Sequence, residues 1–207
     1  MLDKKTTIEG FLEAAAARQP TPGGGSAAAL AGALAAAMGQ MVVNFSLGKK
    51  GLEKHESQLH AALAEFKRAR EMMLRFMAED QQAYEAISAA RKMPADDPRR
   101  KDAMELASRL CIMVPQCIVV TATDIIELAE GIVEIANPRL LSDLAVCAEL
   151  AMATARAAGY NVRVNLSEIT DAQDRASCEE SCRRQLVRAL GLIQRVIPRT
   201  WERASGQ

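Results

Sequence analysis

Thr21-Pro22-Gly23-Gly24-Gly25-Ser26, running directly into Ala27-Ala28-Ala29-Leu30-Ala31-Gly32-Ala33-Leu34-Ala35-Ala36-Ala37-Met38-Gly39, is the stretch on which the fold of this chain turns. Three consecutive glycines leave backbone N–H groups uncovered where a helix begins, and such a start attracts anionic or carbonyl oxygen. The helix that follows is almost without side-chain bulk. Gly25, Ala28, Gly32, Ala35 and Gly39 recur at three and four residues, the seam of a heptad. An interior helical glycine costs about 1 kcal/mol against alanine, so Gly32 and Gly39 call for a helix packed closely against them. Leu30, Leu34, Met38, Met41 and Phe45 occupy roughly the opposite side. A helix apolar nearly all round is expected at the centre of a bundle. Its alanine-rich composition and the closing Gln40, Asn44 and Lys49-Lys50 argue against a membrane span.

Working outward, a short first helix is expected from Thr7 to Arg18, stopped by Pro20 and Pro22. The glycine turn opens the second, which runs to about Leu47, and Gly48-Lys49-Lys50-Gly51 breaks the chain. Leu52 to Met93 holds neither Pro nor Gly, and Leu59, Leu63, Phe66, Met73, Met77, Tyr84 and Ile87 keep helical spacing. Asp97 before Pro98 reads as a helix start. A fourth helix follows from about Arg99 to Ile135, with a kink or interruption expected at Pro115. Asn137-Pro138 restarts the chain into a fifth helix reaching about Gly159. Asn161 to Leu166 alternates as a short strand or irregular segment would. A last helix runs from about Asp171 to Arg203. These elements describe one all-α domain over residues 1–207, a multihelical bundle of long antiparallel helices, some interrupted.

Composition narrows the function classes. The chain has 207 residues, 49% hydrophobic and only 3% aromatic, with equal numbers of basic and acidic side chains. Zero net charge argues against a general nucleic-acid or anionic-membrane partner. Met1-Leu2-Asp3-Lys4-Lys5 does not open a signal peptide. The five cysteines, at 111, 117, 147, 178 and 182, have no small-scaffold spacing and read as thiols of a reducing cytoplasm, with no metal site expected. The long apolar flanks and the small-residue seam predict a homodimer.

Several polar residues interrupt apolar helices, and each has two readings. Asp80 and Tyr84 share a helix face, either as a solvated flank or as a site. Ser142 and Asp143 fit an N-cap as well as a ligand contact. Asn161 and Asn165 suit backbone-capping amides, and Lys49-Lys50 a solvated helix end. None establishes a site alone.

Together they do more. Thr21 to Ala29, Gly48-Lys49-Lys50, Glu79-Asp80 with Tyr84, Asn137-Pro138 with Ser142-Asp143 and Val146, and Asn161 to Leu166 occur in this order and at similar spacing in one family. Along essentially its whole length the chain resembles the cyclodeaminase/cyclohydrolase family: the C-terminal domain of formiminotransferase-cyclodeaminase and the stand-alone methenyltetrahydrofolate cyclohydrolases. The resemblance implies a dimeric all-helical enzyme acting on the one-carbon unit that bridges the 5- and 10-nitrogens of tetrahydrofolate. The reaction is either cyclodeamination of 5-formiminotetrahydrofolate or hydrolysis of 5,10-methenyltetrahydrofolate. It implies no metal or redox cofactor, the folate being substrate.

Both reactions pass through a tetrahedral carbon flanked by cationic amidinium states. A carboxylate beside that carbon stabilises the cation and moves protons, and a second suits the donor edge of the pterin. Asp80 and Asp143 are the two candidates, with Asp80 favoured for proton transfer and the roles interchangeable. Pro22, Gly23, Gly24, Gly25 and Ser26 are expected to let folate approach the backbone, Lys49 and Lys50 to meet its glutamate tail, and Tyr84, Asn137, Ser142, Asn161 and Asn165 to line the site. The competing reading is a non-catalytic folate-binding or helical assembly protein on the same scaffold, motivated by departures from the family pattern near Pro94 and Asn137.

Overall fold

The computed structural model describes residues 5–205. The start of the chain up to Lys4, part of the segment read above for a leader, lies outside them. Six α-helices and three single 3-10 turns follow one another: α1 (Ile8–Ala16), α2 (Gly24–Asn44), α3 (Glu56–Lys92), α4 (Arg100–Ile132), α5 (Leu141–Asn165) and α6 (Ala172–Ala204). Among the described residues there is no strand. The all-α bundle expected from the sequence is the observed fold.

α2 lies between α3 and α5; α4 packs against both of these, and α6 covers α4 and α5. Thr7 caps α1, its hydroxyl accepting from the Gly10 N–H at 3.1 Å, and Asp171 caps α6 through the Asp174 N–H at 2.7 Å. Gly48 and Gly51 break the chain after α2 in the left-handed region, at φ +68° and +90°, where only glycine is unstrained. The Thr21–Pro22 peptide bond leading into α2 is cis.

The glycine seam sets the register of the bundle. Side chains that would meet a β-carbon at Gly39, Gly32 and Gly25 come from Phe66, Met73 and Asp80 of α3, seven residues apart in antiparallel order. On the other flank, Thr154 of α5 lies against Gly32 and Asn161 against Gly24. Three layers result along α2. Two are filled by the core side chains Phe66 and Met73, and the third by a carboxylate. The seam's partners are thus helices of the same chain, so it is not the surface that calls for a second subunit. The opposite face of α2 is the open one: Leu34 is 53% and Phe45 61% exposed. The expectation of a helix buried all round holds on every side but this one.

A β-carbon at Gly39 would stand 2.4 Å from the ring of Phe66, which is fully buried. Gly39→Ala gains about 1 kcal/mol of helix propensity but overpacks a rigid aromatic, at a cost of about 1–3 kcal/mol. We expect a lower Tm for Gly39→Ala. Gly32→Ala meets only the flexible end of Met73 at 2.8 Å and Thr154 at 3.0 Å, so it should lower Tm less. Thermal unfolding of the two variants side by side checks the order.

Three local expectations are corrected. Asn161 to Asn165 is the last turn of α5, not a strand. Val162 is fully buried there and the Asn161 amide donates to the Ala157 carbonyl at 2.9 Å, so packing overrides β propensity. Asp97 does not cap α4, which starts at Arg100; its side chain accepts from the Arg99 N–H at 2.9 Å and closes the preceding turn. Neither Ser142 nor Asp143 is an N-cap: α5 starts from Leu140, and Asn137 caps the 3-10 turn before it. α4 runs through Pro115 as one helix. α2 and α4 are long and apolar enough to cross a membrane, but more than half of each apolar stretch is buried in the bundle, as in the core helices of soluble proteins.

Candidate active site at the start of the second helix

The cleft begins with the helix terminus. Gly23 is the N-cap residue of α2 and offers no side chain, so the first N–H groups of the helix need an acceptor from elsewhere. Asp80 of α3 supplies it. Ser26 Oγ donates to Asp80 Oδ2 at 2.8 Å and lies 3.2 Å from the Met77 carbonyl, and the Ser26 backbone N–H also bonds the carboxylate. Gly25 makes this geometry possible, since a β-carbon there would fall 2.0 Å from Asp80 Oδ1. The oxygen that the bare glycine turn attracts is therefore the protein's own.

Asp80 is held against an opposing pair of effects. Burial raises its pKa, while the hydroxyl and N–H of Ser26 stabilise the anion and lower it; the net shift is upward. The shift is in the direction that suits a proton-transfer group. Ser26→Ala removes one of the stabilising bonds and should push the Asp80 pKa higher still. If Asp80 works as the base, activity is present above that pKa and lost as pH falls through it. The acid limb of the kcat–pH profile should then move to higher pH in Ser26→Ala with KM little changed, a shift that a purely structural serine would not produce.

Around Asp80 the chain forms a cleft of about 170 Å³, lined by Gly23, Gly24, Gly25, Tyr84, Asn161 and Asn165 from the expected set. Pro22 is buried in the turn beside it. Asn165 donates to the Cys111 carbonyl at 2.7 Å, tying α5 to α4. Sequence reasoning missed Ile87, Arg91, Cys111 and Glu168, which also line the cleft. Ile87 and Arg91 continue the spacing of Asp80 and Tyr84 along α3, so that signal was present. Glu168 carried none; it reaches the site as the ion-pair partner of Arg91, at 2.9 Å, from the turn after α5. Burial, with Asp80 and Glu168 nearby, raises the Cys111 thiol pKa and keeps it protonated. Among the described residues no three His, Cys, Asp or Glu side chains gather as a metal-binding group.

The remaining expected residues lie at the other end of α2. Lys49 Nζ donates to Asn137 Oδ1 at 2.7 Å. The Asn137 amide donates to the Phe45 carbonyl at 3.1 Å and its backbone N–H to Ser46 Oγ at 2.8 Å. Asn137 is the tie that fastens the end of α2 to the start of α5. Lys50 and Ser142 are exposed, and Asp143 is half-buried on the first turn of α5. Asp143 and Asn161 are on one helix, 18 residues and therefore about 27 Å apart. Within one chain Asp143 is nowhere near Asp80.

A larger groove of about 710 Å³ runs between the first half of α4 and the start of α6, from Lys101 to Cys178, and shares only Glu168 with the Asp80 cleft. Its rim mixes Lys101 and Arg109 with Glu105, Asp171 and Asp174.

Comparisons with known proteins agree along the length of the chain. The family model described as formiminotransferase-cyclodeaminase matches residues 7–184. The chain is 35% identical over 178 residues to a methenyltetrahydrofolate cyclohydrolase of Methylorubrum extorquens, covering 84% of each. It is 30% identical over 183 residues to the formimidoyltransferase-cyclodeaminase of Gallus gallus, covering 86% of this chain but 34% of that longer protein. Its structure superposes on the crystal structure of a formiminotetrahydrofolate cyclodeaminase from Thermotoga maritima with a TM-score of 0.86 at 29% identity, covering 95% and 96% of the two chains. The chain belongs to the formiminotransferase-cyclodeaminase family.

Proposed function

We propose that the chain is a folate one-carbon enzyme acting on the unit that bridges the 5- and 10-nitrogens of tetrahydrofolate. It is either a methenyltetrahydrofolate cyclohydrolase, a C–N hydrolase, or a formiminotetrahydrofolate cyclodeaminase, an ammonia lyase. The cyclohydrolase leads, because the relative that bears that name matches along 84% of both chains. The observation that carries the reading is Asp80: a carboxylate with raised pKa, fixed by Ser26 at the start of α2 and opening into a cleft.

The chemistry follows from that placement. The methenyl carbon is cationic, and a desolvated carboxylate beside it stabilises the charge more strongly than water would. Water adds to the carbon as Asp80 accepts its proton. Transfer of that proton to the 5-nitrogen as its bond to carbon breaks, with the hydroxyl proton of the adduct released to solvent as the formyl C=O forms, leaves 10-formyltetrahydrofolate and regenerates the carboxylate. In the deaminating direction the 10-nitrogen attacks the formimino carbon, Asp80 takes the proton from that nitrogen and returns one to the departing ammonia. Tyr84 and Ile87 give the ring system an apolar wall, and Asn161 and Asn165 offer amides to its polar edge. The substrate itself supplies the electrophile, so no cofactor is invoked. We further propose that the enzyme works as a homodimer, and in the cytoplasm, where five unpaired cysteines are at home.

Absorbance of the methenyl chromophore tests the reading. Its disappearance faster than in buffer alone marks the cyclohydrolase, and its appearance from 5-formiminotetrahydrofolate marks the cyclodeaminase. Folate binding by calorimetry with neither reaction would overturn the enzymatic reading in favour of a non-catalytic folate-binding protein.

A further inference from the structure

The Asp80 cleft is a slot with two rails. On α3, Asp80, Tyr84, Ile87 and Arg91 follow at four, three and four residues, which is one face of the helix. Across from them, Asn161, Asn165 and Glu168 follow at four and three, through the last turn of α5 and the 3-10 turn after it. Where the rails begin, Asp80 and Asn161 stand against the glycines that open α2. Where they end, Arg91 Nη2 donates to Glu168 Oε1 at 2.9 Å, so an ion pair closes the far end of the slot. The proton chemistry proposed above uses only the near end.

The cleft encloses about 170 Å³, against roughly 300–1,000 Å³ for sites that enclose a small molecule. A folate whose one-carbon unit meets Asp80 must therefore extend along the slot and out of it. The near end is backed by Ser26 and the start of α2, and Tyr84 and Ile87 lead away from it to Arg91. Among the residues that line the cleft, Arg91 is the one cation. A folate keeps its fixed negative charge on its glutamate, beyond a neutral p-aminobenzoyl ring. From the bridging carbon to the glutamate α-carboxylate is about 10 Å of covalent structure. Arg91 follows Asp80 by three turns, about 16 Å along the helix axis, and helical side chains lean towards the N-terminus. That lean brings the long arginine back towards Asp80, and the two spans match. Lys49 and Lys50, the tail contacts expected from the sequence, follow the end of α2, about 30 Å from its start, and Lys49 is engaged with Asn137.

We infer that Arg91 determines specificity for the substrate's glutamate: its guanidinium exchanges Glu168 for the glutamate α-carboxylate, with the p-aminobenzoyl ring lying across Ile87. This rests on the folate reading above for the identity of the ligand. Glu168 holds the guanidinium at the mouth of the slot and competes with the substrate for it. A guanidinium offers two parallel N–H groups to a carboxylate that approaches in its plane, whereas Glu168 is held through Nη2. The ion pair is 53% and 31% exposed, and a pair so exposed contributes little to the fold. Both partners can therefore be substituted without unfolding the protein.

Steady-state kinetics on two forms of the substrate test this, one with a single glutamate and the pteroate form without it. Wild type should favour the glutamate form in kcat/KM by about tenfold or more, as a charge-assisted contact implies. Arg91→Gln should raise KM for the glutamate form by a similar factor with kcat and Tm little changed, and the preference should vanish. Arg91→Lys should restore part of it. Glu168→Gln removes the competitor and should lower KM for the glutamate form several-fold without an effect on the pteroate form. If Arg91→Gln keeps the wild-type preference, or weakens both forms alike, the inference is overturned and the folate reading stands. If Glu168→Gln raises KM for the glutamate form, the exchange is overturned. If wild type acts on neither form, by hydrolysis or by cyclodeamination, the folate reading falls and this inference falls with it.

Discussion

Asp80→Asn is expected to lose about 10²–10⁴ of kcat, the contribution of one positioned proton-transfer group, while remaining at least as stable as wild type at neutral pH. The second half of this result is the more discriminating. Burial raises the Asp80 pKa above its unfolded value. The folded state therefore binds more protons than the unfolded state between those two values, and stability falls as pH rises through that window. Above that window the carboxylate is ionised at a cost to the fold. The neutral amide relieves it while keeping the size and the acceptor oxygen for Ser26. Steady-state rates and thermal unfolding at pH 7 check both halves. A variant that lost activity together with several degrees of Tm would point to a structural rather than a chemical role.

Gly25→Ala should be nearly as damaging to activity and for a purely steric reason. The new β-carbon would stand 2.0 Å from Asp80 Oδ1 and 2.5 Å from its Cγ, so the carboxylate must swing away from Ser26. Displacement of a reacting group by about 1 Å is enough for a loss on the order of 10²-fold. The far end of an aspartate moves easily, and the fold should survive. This contrasts with Gly39→Ala, where the obstruction is a buried ring. Kinetics and circular dichroism on Gly25→Ala separate the two outcomes: low kcat with native helicity supports the placement of Asp80, and wild-type kcat would contradict it.

The fold was legible in the sequence because its signals are local. Glycine and proline mark nearly every helix boundary, Thr7 and Asp171 are caps, and α3 keeps its helical spacing over 37 residues with Asp80 and Gln81 as polar interruptions. Asn161 to Asn165 was misread, because alternating valines suggest a strand and only the buried position of Val162 makes a helix. The heptad of glycines announced close packing without naming the partner. That the third layer of the seam is Asp80 depends on an antiparallel register between α2 and α3, which a single sequence does not display. For the same reason the candidate residues read as one site when they lie at two ends of a helix. Glu168 became visible only through its ion pair with Arg91.

All of the proposed chemistry requires that the one-carbon unit of a folate sit at the start of α2, against Asp80. A crystal structure of the protein with a stable folate analogue bound tests this most directly. Density for the fused ring system is expected in the cleft between Gly24, Asp80 and Tyr84, with a folate nitrogen or the bridging carbon within reach of the Asp80 carboxylate. A ring system bound instead in the groove between Lys101 and Cys178, with the Asp80 cleft empty, would contradict it.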